Sequence, residues 1–283
     1  MEAIKRAITA FKAASMPVRL IAVNGALFVA LRLAVIIGLL AGAADPLSAV
    51  LSAVELPSSL PALLMAPWTV VTYMFAQYDI LHLAFNLLWL YWFGQVMLLR
   101  CSPSQLLTLY LYGGLAGAAL FIVAFNLLPL FAGTTGMLIG SSAAVMAIVT
   151  ATAILLPDFR MQLLLIGSIK LKWIACGAAL LVLLGASGSN AGGEMAHAGG
   201  IIAGAIFATQ LRRGHDITAP ARKLSARIAS ALTPAAKPTH TPTIPPDPQA
   251  DLDIILDKIK RSGYSALTPD ERRRLFEISR KIK

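Results

Sequence analysis

Long, continuous runs of apolar residues dominate the chain between residues 18 and 210. A helix needs about 20 apolar residues to cross roughly 30 Å of hydrocarbon, and most of these runs are about that long. The apolar residues do not alternate with polar ones, which favours transmembrane helices over barrel strands. The pattern predicts six spans, at about residues 18–41, 80–99, 104–128, 141–156, 172–187 and 194–210.

After about residue 212 the apolar runs end. Residues 213–250 are rich in Pro, Thr and Ala, and the stretch "KPTHTPTIPPDPQ" predicts an extended or disordered linker. The domain organisation is therefore a cytoplasmic N-terminal segment (1–17), a six-helix membrane core (18–212), this linker (213–250) and a short C-terminal module (251–283).

Helical periodicity returns in the C-terminal module. Thr268 and Glu271, with Pro269 between them, predict a capping-box start for its second helix. The apolar positions are Ile254, Ile255 and Ile259 in the first helix and Leu275, Phe276 and Ile278 in the second, with a Ser-Gly-Tyr turn between them. Such a short pair buries little apolar surface, so we expect it to dock a cytoplasmic partner or the membrane surface rather than to catalyse a reaction.

Composition agrees with a membrane protein. Hydrophobic residues make up 57% of the chain and charged residues only 13%, with a mean hydropathy of +0.73. Soluble domains carry roughly twice that share of charge. The two cysteines, Cys101 and Cys176, lie near or within spans without a C-x-x-C spacing, so we interpret them as small apolar side chains.

Lys and Arg alternate between the segments that connect the spans. The N-terminal segment with the start of span one has four, the connection after span two one, that after span four three, and the tail fifteen, whereas the other connections have none. The positive-inside rule then puts both termini in the cytoplasm. The net charge of +10 is therefore mainly a topology feature that also suits anionic lipid, and no nucleic-acid partner is expected.

Arg32 lies inside the first span. Together with the length of that span, it favours a retained helix over a cleaved signal peptide. An arginine in the middle of a membrane is costly and by default suggests a function. Pairing inside the bundle or snorkelling is the simpler explanation here, and we favour that structural interpretation.

Polar residues gather at one depth of the predicted bundle. Spans two, four and six all begin at the outer face, and they carry "HLAFN" (His82 and Asn86), "GSSA" (Ser141 and Ser142) and "EMAHAGG" (His197) near their starts. Polar groups at membrane depth need partners or a water-filled cavity, so we expect these side chains to face one another. A channel or transporter would instead carry polar residues through the whole membrane depth.

A serine within reach of a histidine is the minimum equipment for nucleophilic catalysis, because the imidazole can accept the hydroxyl proton and return it to the leaving group. Serine at a helix start is more often a cap, so the residues alone leave open which of Ser141 and Ser142 caps the helix and which is a nucleophile. In span six, Gly200 and Gly204 form a G-x-x-x-G on the face of His197, which permits the close helix approach that such a pair requires.

In this order and on alternate helices, "HLAFN" followed by "WLYWFG", then "GSSA" and then "AHAGGIIAG" resemble the rhomboid family of intramembrane serine proteases. The resemblance covers roughly residues 18–210 and implies an all-α membrane protein with a six-transmembrane-helix rhomboid-like bundle. It implies a multi-pass protein of a bacterial cytoplasmic (inner) membrane, opening to the outer side and cleaving single-span transmembrane proteins.

The resemblance also implies the role of each site residue. It makes Ser142 the nucleophile and His197 its base, in a dyad without a third acid, and leaves Ser141 to cap the helix. It assigns His82, Asn86 and the backbone N–H of Ser142 to the oxyanion site. Gly140 would give the turn its room, and no metal or cofactor would take part.

Three positions depart from the family pattern, and one of them is Thr69, which follows Trp68 where arginine is common. Ala143 stands where many members have a second glycine, and Met146 stands where an aromatic ring often supports the histidine. The alternative function is a catalytically inactive rhomboid-like protein that binds membrane clients. Such proteins typically lack the serine or the histidine, and this chain has both.

Other intramembrane protease chemistries have no support in the sequence. A zinc protease would need H-E-x-x-H or an equivalent set of three ligands, and an aspartyl protease would need two facing acids. Neither motif is present, since Asp79 is the only aspartate near the outer end of a span.

Overall fold

Helices make up most of the structure, a computed structural model that describes residues 2–163, 167–186, 188, 190–232, 248–262, 267–268, 271–273 and 275. The chain divides into two compact units, Met1–Ile228 and Ala229–Lys283. In chain order the helices are α1 (Glu2–Ala13), α2 (Met16–Leu40), α3 (Pro46–Ser52), α4 (Leu60–Met65), α5 (Thr69–Thr72), α6 (Ile80–Met97), α7 (Pro103–Leu127), α8 (Ser142–Leu155), α9 (Leu171–Gly185), α10 (Ala191–Arg212), α11 (Ala219–Leu232) and α12 (Pro248–Ser262).

Helices α2, α6, α7, α8, α9 and α10 lie where the sequence predicts spans. The largest discrepancy is at α10, which begins at Ala191 rather than at 194. By length and composition, α2, α6 and α7 are long and apolar enough to cross a membrane, and α8 and α9 are shorter apolar helices. The chain is therefore a mostly helical integral membrane protein.

Helix α8 lies at the centre of the first unit. It packs against α10, α7 and α6, while α7 and α10 also pack closely on each other. Most of the α8 side chains are buried, including Ile148 and Val149. Helix α2 lies against α6, and α9 contacts α8 and α10 more sparsely. On α9 the side chains of Leu181, Leu183 and Leu184 are exposed, as expected for a helix that faces lipid.

Two small antiparallel sheets correct the all-α expectation. Strand β1 (Leu56–Pro57) pairs with β2 (Met137–Leu138), which ties the long first connection to the segment just before α8. Strand β3 (Arg160–Leu163) pairs with β4 (Gly167–Lys170) and forms a hairpin ahead of α9. Strands of two to four residues carry too little alternation to stand out between long apolar runs.

Local polar contacts set the starts of two of the long helices. Ser102 and Gln105 form a capping box at the start of α7, with Pro103 in the first turn. Asp79 caps α6 by accepting a hydrogen bond from the backbone N–H of His82 at 2.6 Å. The buried thiol of Cys101 lies between these helices, and burial raises its pKa to about 11.

Arg32 is partnered inside the bundle. Its guanidinium donates a hydrogen bond to the backbone carbonyl of Tyr78 and lies 3.7 Å from the centre of the Tyr78 ring. The ring of Phe28 lies 5.3 Å away on the same helix. The aromatic ring and the carbonyl oxygen take the place of water molecules around the guanidinium. These contacts therefore support the structural interpretation of Arg32.

The predicted extended or disordered linker, residues 213–250, contains helix α11. The prediction is therefore wrong for Ala219–Leu232. The sequence "APARKLSARIASAL" is rich in Ala, Leu, Arg and Lys, which are strong helix formers, and the prolines lie mostly beyond it. Its start is anchored by Asp216, which accepts hydrogen bonds from Thr218 and Arg222 and from Gln105 of α7. Residues 233–247, including His240, lie outside the described residues.

The second unit contains α12 and the start of another helix. Thr268 and Glu271 form the predicted capping box, with N–H to oxygen distances of 2.7 and 3.3 Å. Lys258 of α12 reaches Glu271 at 2.7 Å, and this hydrogen bond lowers the pKa of that carboxyl to about 2. Ile255 and Leu267 are buried. Residues 263–266, Pro269, Phe276 and Ile278 lie outside the described residues.

Candidate active site

Ser142 and His197 form the centre of the site. Ser142 is the first residue of α8, and His197 lies in the second turn of α10. The Oγ of Ser142 and the Nε2 of His197 are 2.7 Å apart, a short hydrogen bond between hydroxyl and imidazole. The two residues are 55 positions apart in the chain, so this contact depends on how α8 and α10 pack.

Two glycines bring α8 and α10 together. A Cβ on Gly200 would lie 2.0 Å from the carbonyl oxygen of Ala143, and one on Gly204 would lie 2.3 Å from that of Ala147. Any side chain there would push the helices apart. At Gly200 and Gly204 the backbones of α8 and α10 are in contact, beginning about one turn below the serine and the histidine.

Ala143 fits this packing as alanine. Its side chain is buried against Gly117 of α7, where an added Cβ would lie only 2.6 Å from the Ala143 methyl group. The extra carbon that Ala143 carries, compared with a glycine, is thus accommodated by a glycine on the neighbouring helix. Met146 lies one turn further along α8 and lines the cavity beside Ser142.

Gly140 has a backbone φ of +130°, a conformation that residues other than glycine rarely adopt. A Cβ there would lie 3.0 Å from Cε1 of His82 and 3.8 Å from Oγ of Ser142. Glycine therefore permits both the turn into α8 and the approach of the His82 ring.

The predicted site residues border one cavity of about 490 Å³. His82, Asn86, Ser142 and His197 all line it. The rest of the wall is mainly apolar and comes from α6, α8 and α9, including Trp89, Trp173 and Leu181. Trp173 and Leu181 are 61% and 70% exposed, so on this side the cavity borders the outer surface of the bundle.

A second cavity, of about 530 Å³, lies on the other side of the same three residues, His82, Ser142 and His197. Its wall is made by the segment 135–139 and by the start of α10, with Asn190 among the lining residues. Ser142 is thus reached from two directions.

Buried hydrogen bonds hold Asn86 in place. Its side-chain N–H donates to Oε1 of Gln77 at 2.9 Å, and Gln77 donates in turn to Ser141 at 3.0 Å and to Asn24 at 3.3 Å. Gln77 and Ser141 have no exposed surface. Ser141 occupies the N-cap position but makes no side-chain capping hydrogen bond, so its expected capping role is wrong. Its hydroxyl instead accepts from Gln77.

Within the described part of the chain, no group of three His, Cys, Asp or Glu side chains lies close enough to hold a metal ion. A hydroxyl beside an imidazole at a helix start is suited to acyl transfer, because the helix N-terminus offers unpaired N–H groups to a developing negative charge.

Comparison with protein families gives two matches. Residues 65–214, more than half of the chain, match the Rhomboid domain. The chain belongs to the rhomboid family. Residues 247–281 match a family of unknown function, DUF6576. Among curated proteins, nothing matches the chain.

The structure of this rhomboid protein adds a residue that sequence reasoning missed. Glu194 lies three positions before His197, and its Oε2 is 2.9 Å from Nδ1 of the histidine. The expected dyad without a third acid is therefore incomplete as a description of the geometry. The spacing was available in "EMAH", since residues three apart share a helix face.

Gln77 is the second residue that was missed. It precedes α6 in a connection where a polar side chain is ordinarily solvated, and no local pattern distinguishes it. Its buried position follows from the way this rhomboid chain folds the first connection back between α2, α6 and α8.

Proposed function

We propose that the chain is an intramembrane serine endopeptidase that uses Ser142 and His197 to cleave transmembrane substrates. The observation that supports this most directly is the 2.7 Å contact between Ser142 Oγ and His197 Nε2 beside a cavity. Membership of the rhomboid family supports it independently.

In this proposal Ser142 Oγ attacks the carbonyl carbon of the scissile peptide bond while His197 Nε2 takes its proton. The C–N bond then breaks as the histidine returns that proton to the leaving amine, which leaves an ester on Ser142. A water, deprotonated by His197, hydrolyses the ester and regenerates the hydroxyl.

The tetrahedral intermediate places a negative charge on the former carbonyl oxygen. We assign its stabilisation to the backbone N–H of Ser142, at the start of α8, and to the side chains of His82 and Asn86. The first N–H groups of a helix lack intrahelical partners, and all three residues border the same cavity. Donors fixed before the reaction lower the barrier most effectively.

The apolar cavity supports a transmembrane protein as the substrate class that we propose. Its wall between α6 and α9 borders the lipid-facing surface, and exposed apolar residues of α9 continue it outward. We infer that a single-span transmembrane protein enters from the bilayer between these helices and unwinds near the outer membrane face. Unwinding is needed because the hydrogen bonds of a helix shield its peptide groups.

The proposed setting is a bacterial cytoplasmic membrane with both termini in the cytoplasm. The alternation of Lys and Arg between connections supports this orientation. We further propose that the C-terminal unit docks a cytoplasmic partner or the membrane surface, since it carries exposed Ile254 and Leu256 beside basic residues.

The test uses the full chain reconstituted in lipid with a fluorescent transmembrane substrate and a fluorophosphonate probe. Ser142→Ala and His197→Ala should each abolish cleavage, and wild type should be labelled at Ser142. Ser141→Ala is the matched control, because it removes the adjacent hydroxyl and should leave labelling at Ser142. A folded wild type that neither cleaves nor labels would favour the alternative, a rhomboid-like protein that binds membrane clients.

A further inference from the structure

Glu194 sits on the side of His197 that faces away from the serine. Its carboxylate oxygen Oε2 is 2.9 Å from Nδ1, whereas Ser142 contacts Nε2. The side chains of His197 and Glu194 are only 19% and 17% exposed, so water screens their contact weakly. Among the described residues that line the main cavity, Glu194 is the one carboxylate, and neither Lys nor Arg is present.

The end of α9 lies close to this carboxylate. A Cβ on Gly185, at the end of α9, would lie 3.0 Å from Cγ, Cδ and Oε1 of Glu194, so the chain passes close to the side chain there. The backbone N–H of Glu194 donates to Asn190, and its position in the first turn of α10 suits a negative charge at a helix N-terminus.

A hydrogen bond at Nδ1 decides what Nε2 can do. Neutral imidazole carries one N–H, and a carboxylate can only accept, so the proton of His197 is held on Nδ1. Nε2 then presents its lone pair to the hydroxyl of Ser142. When Nε2 takes the serine proton, the ring becomes a cation directly beside Glu194, whose negative charge stabilises it.

We propose that Glu194 is a positioning residue that fixes the tautomer and orientation of His197, so that the site works as a Ser142–His197–Glu194 triad. This inference rests on the proposed protease function. It differs from a capping role of Glu194 in α10, because a cap would affect helix stability without acting on the histidine ring.

The experiment compares Glu194→Leu, Glu194→Gln and wild type in the full chain, in lipid, with kcat and KM measured separately. Leu removes the acceptor and should lower kcat by roughly 10²-fold or more, the range of general acid–base catalysis, with KM changed little. Gln keeps an acceptor oxygen without the charge, so its kcat should lie between the two. Labelling of Ser142 by a fluorophosphonate should slow in the same order.

Histidine ¹⁵N spectra give a second readout. In wild type the His197 ring should carry its proton on Nδ1, and Glu194→Leu should lose that preference. The matched control is Glu55→Gln, which changes another half-buried glutamate, in the first connection away from Ser142, and should leave kcat unchanged.

Each result separates this inference from the proposed function. If wild type cleaves and labels while Glu194→Leu does so equally fast, the triad is overturned and the protease assignment stands. An effect on thermal stability alone, with Gln behaving like Leu and kcat unchanged, would reduce Glu194 to a cap. A folded wild type that neither cleaves nor labels overturns both.

Discussion

At the scale of single residues, two neighbouring hydroxyls have separate environments. Ser142 faces the cavity and His197, while Ser141 is fully buried against Gln77. Successive residues at a helix start point in different directions, so one turn can serve both the site and the network beneath it. Through Gln77, that network reaches Asn86.

Replacing Asn86 by Ala tests the oxyanion assignment. The change removes a side-chain donor that we place at the developing negative charge, so kcat should fall by roughly 10²–10³-fold with KM nearly constant. Steady-state cleavage of a transmembrane substrate measures both constants.

Asn126→Ala is the control for that experiment. Asn126 lies on α7 and donates to the backbone carbonyl of Ser58, outside either cavity that Ser142 lines. We expect it to keep the wild-type kcat. A change in KM alone for Asn86→Ala would assign Asn86 to substrate binding.

The sequence was sufficient to find four residues that line the cavity. His82 and Asn86 are four apart on α6, and Ser142 and His197 lie near the starts of helices that begin at the same predicted depth. Glu194 and Gln77 were not predicted as site residues, for two different reasons. The first was treated only as part of a motif, and the second is buried by tertiary packing that no local pattern records.

At the scale of helices, the contact between α8 and α10 fixes the distance between serine and histidine. Continuous hydrophobicity located the long helices well, since each is specified by its own residues. The β1–β2 and β3–β4 pairs and α11 were not anticipated. The pairing of such short strands depends on which connections the bundle brings together, and α11 lies in a segment whose prolines dominated the interpretation.

Gly200→Ala tests the α8–α10 contact. Its added Cβ would overlap the carbonyl of Ala143, so the helices must separate. Overpacking of this kind costs about 1–3 kcal/mol of unfolding free energy. A displacement of about 1 Å at the reacting atoms can lower the rate roughly 10²-fold. Thermal unfolding and cleavage assays measure the two effects.

Gly25→Ala is the matched control on α2. An added Cβ there has nothing within 4 Å. Because alanine is the better helix former, this variant should keep the activity of wild type and be as stable or slightly more so. Equal behaviour of the two variants would show that α8 and α10 do not need the glycine.

At the scale of the whole molecule, the distribution of Lys and Arg predicts the orientation. The connections at 42–79 and 129–140 contain neither residue, while the tail after residue 210 contains fifteen. Alkaline phosphatase, which is active only outside the cytoplasm, should therefore be active when fused after Gly133 and inactive when fused after Lys283. The reverse pattern would invert the orientation and put Ser142 at the cytoplasmic side.

The glycine contact between α8 and α10 has a consequence for how the protein meets membranes of different thickness. A helix whose apolar stretch is longer than the bilayer is thick can adapt by tilting. Two helices in backbone contact tilt as one body, so Ser142 and His197 keep their distance, whereas the loosely packed α9 is able to move by itself. Lipid composition should then change which substrates enter the cavity, and how fast, while the bond-breaking step proceeds at the same rate.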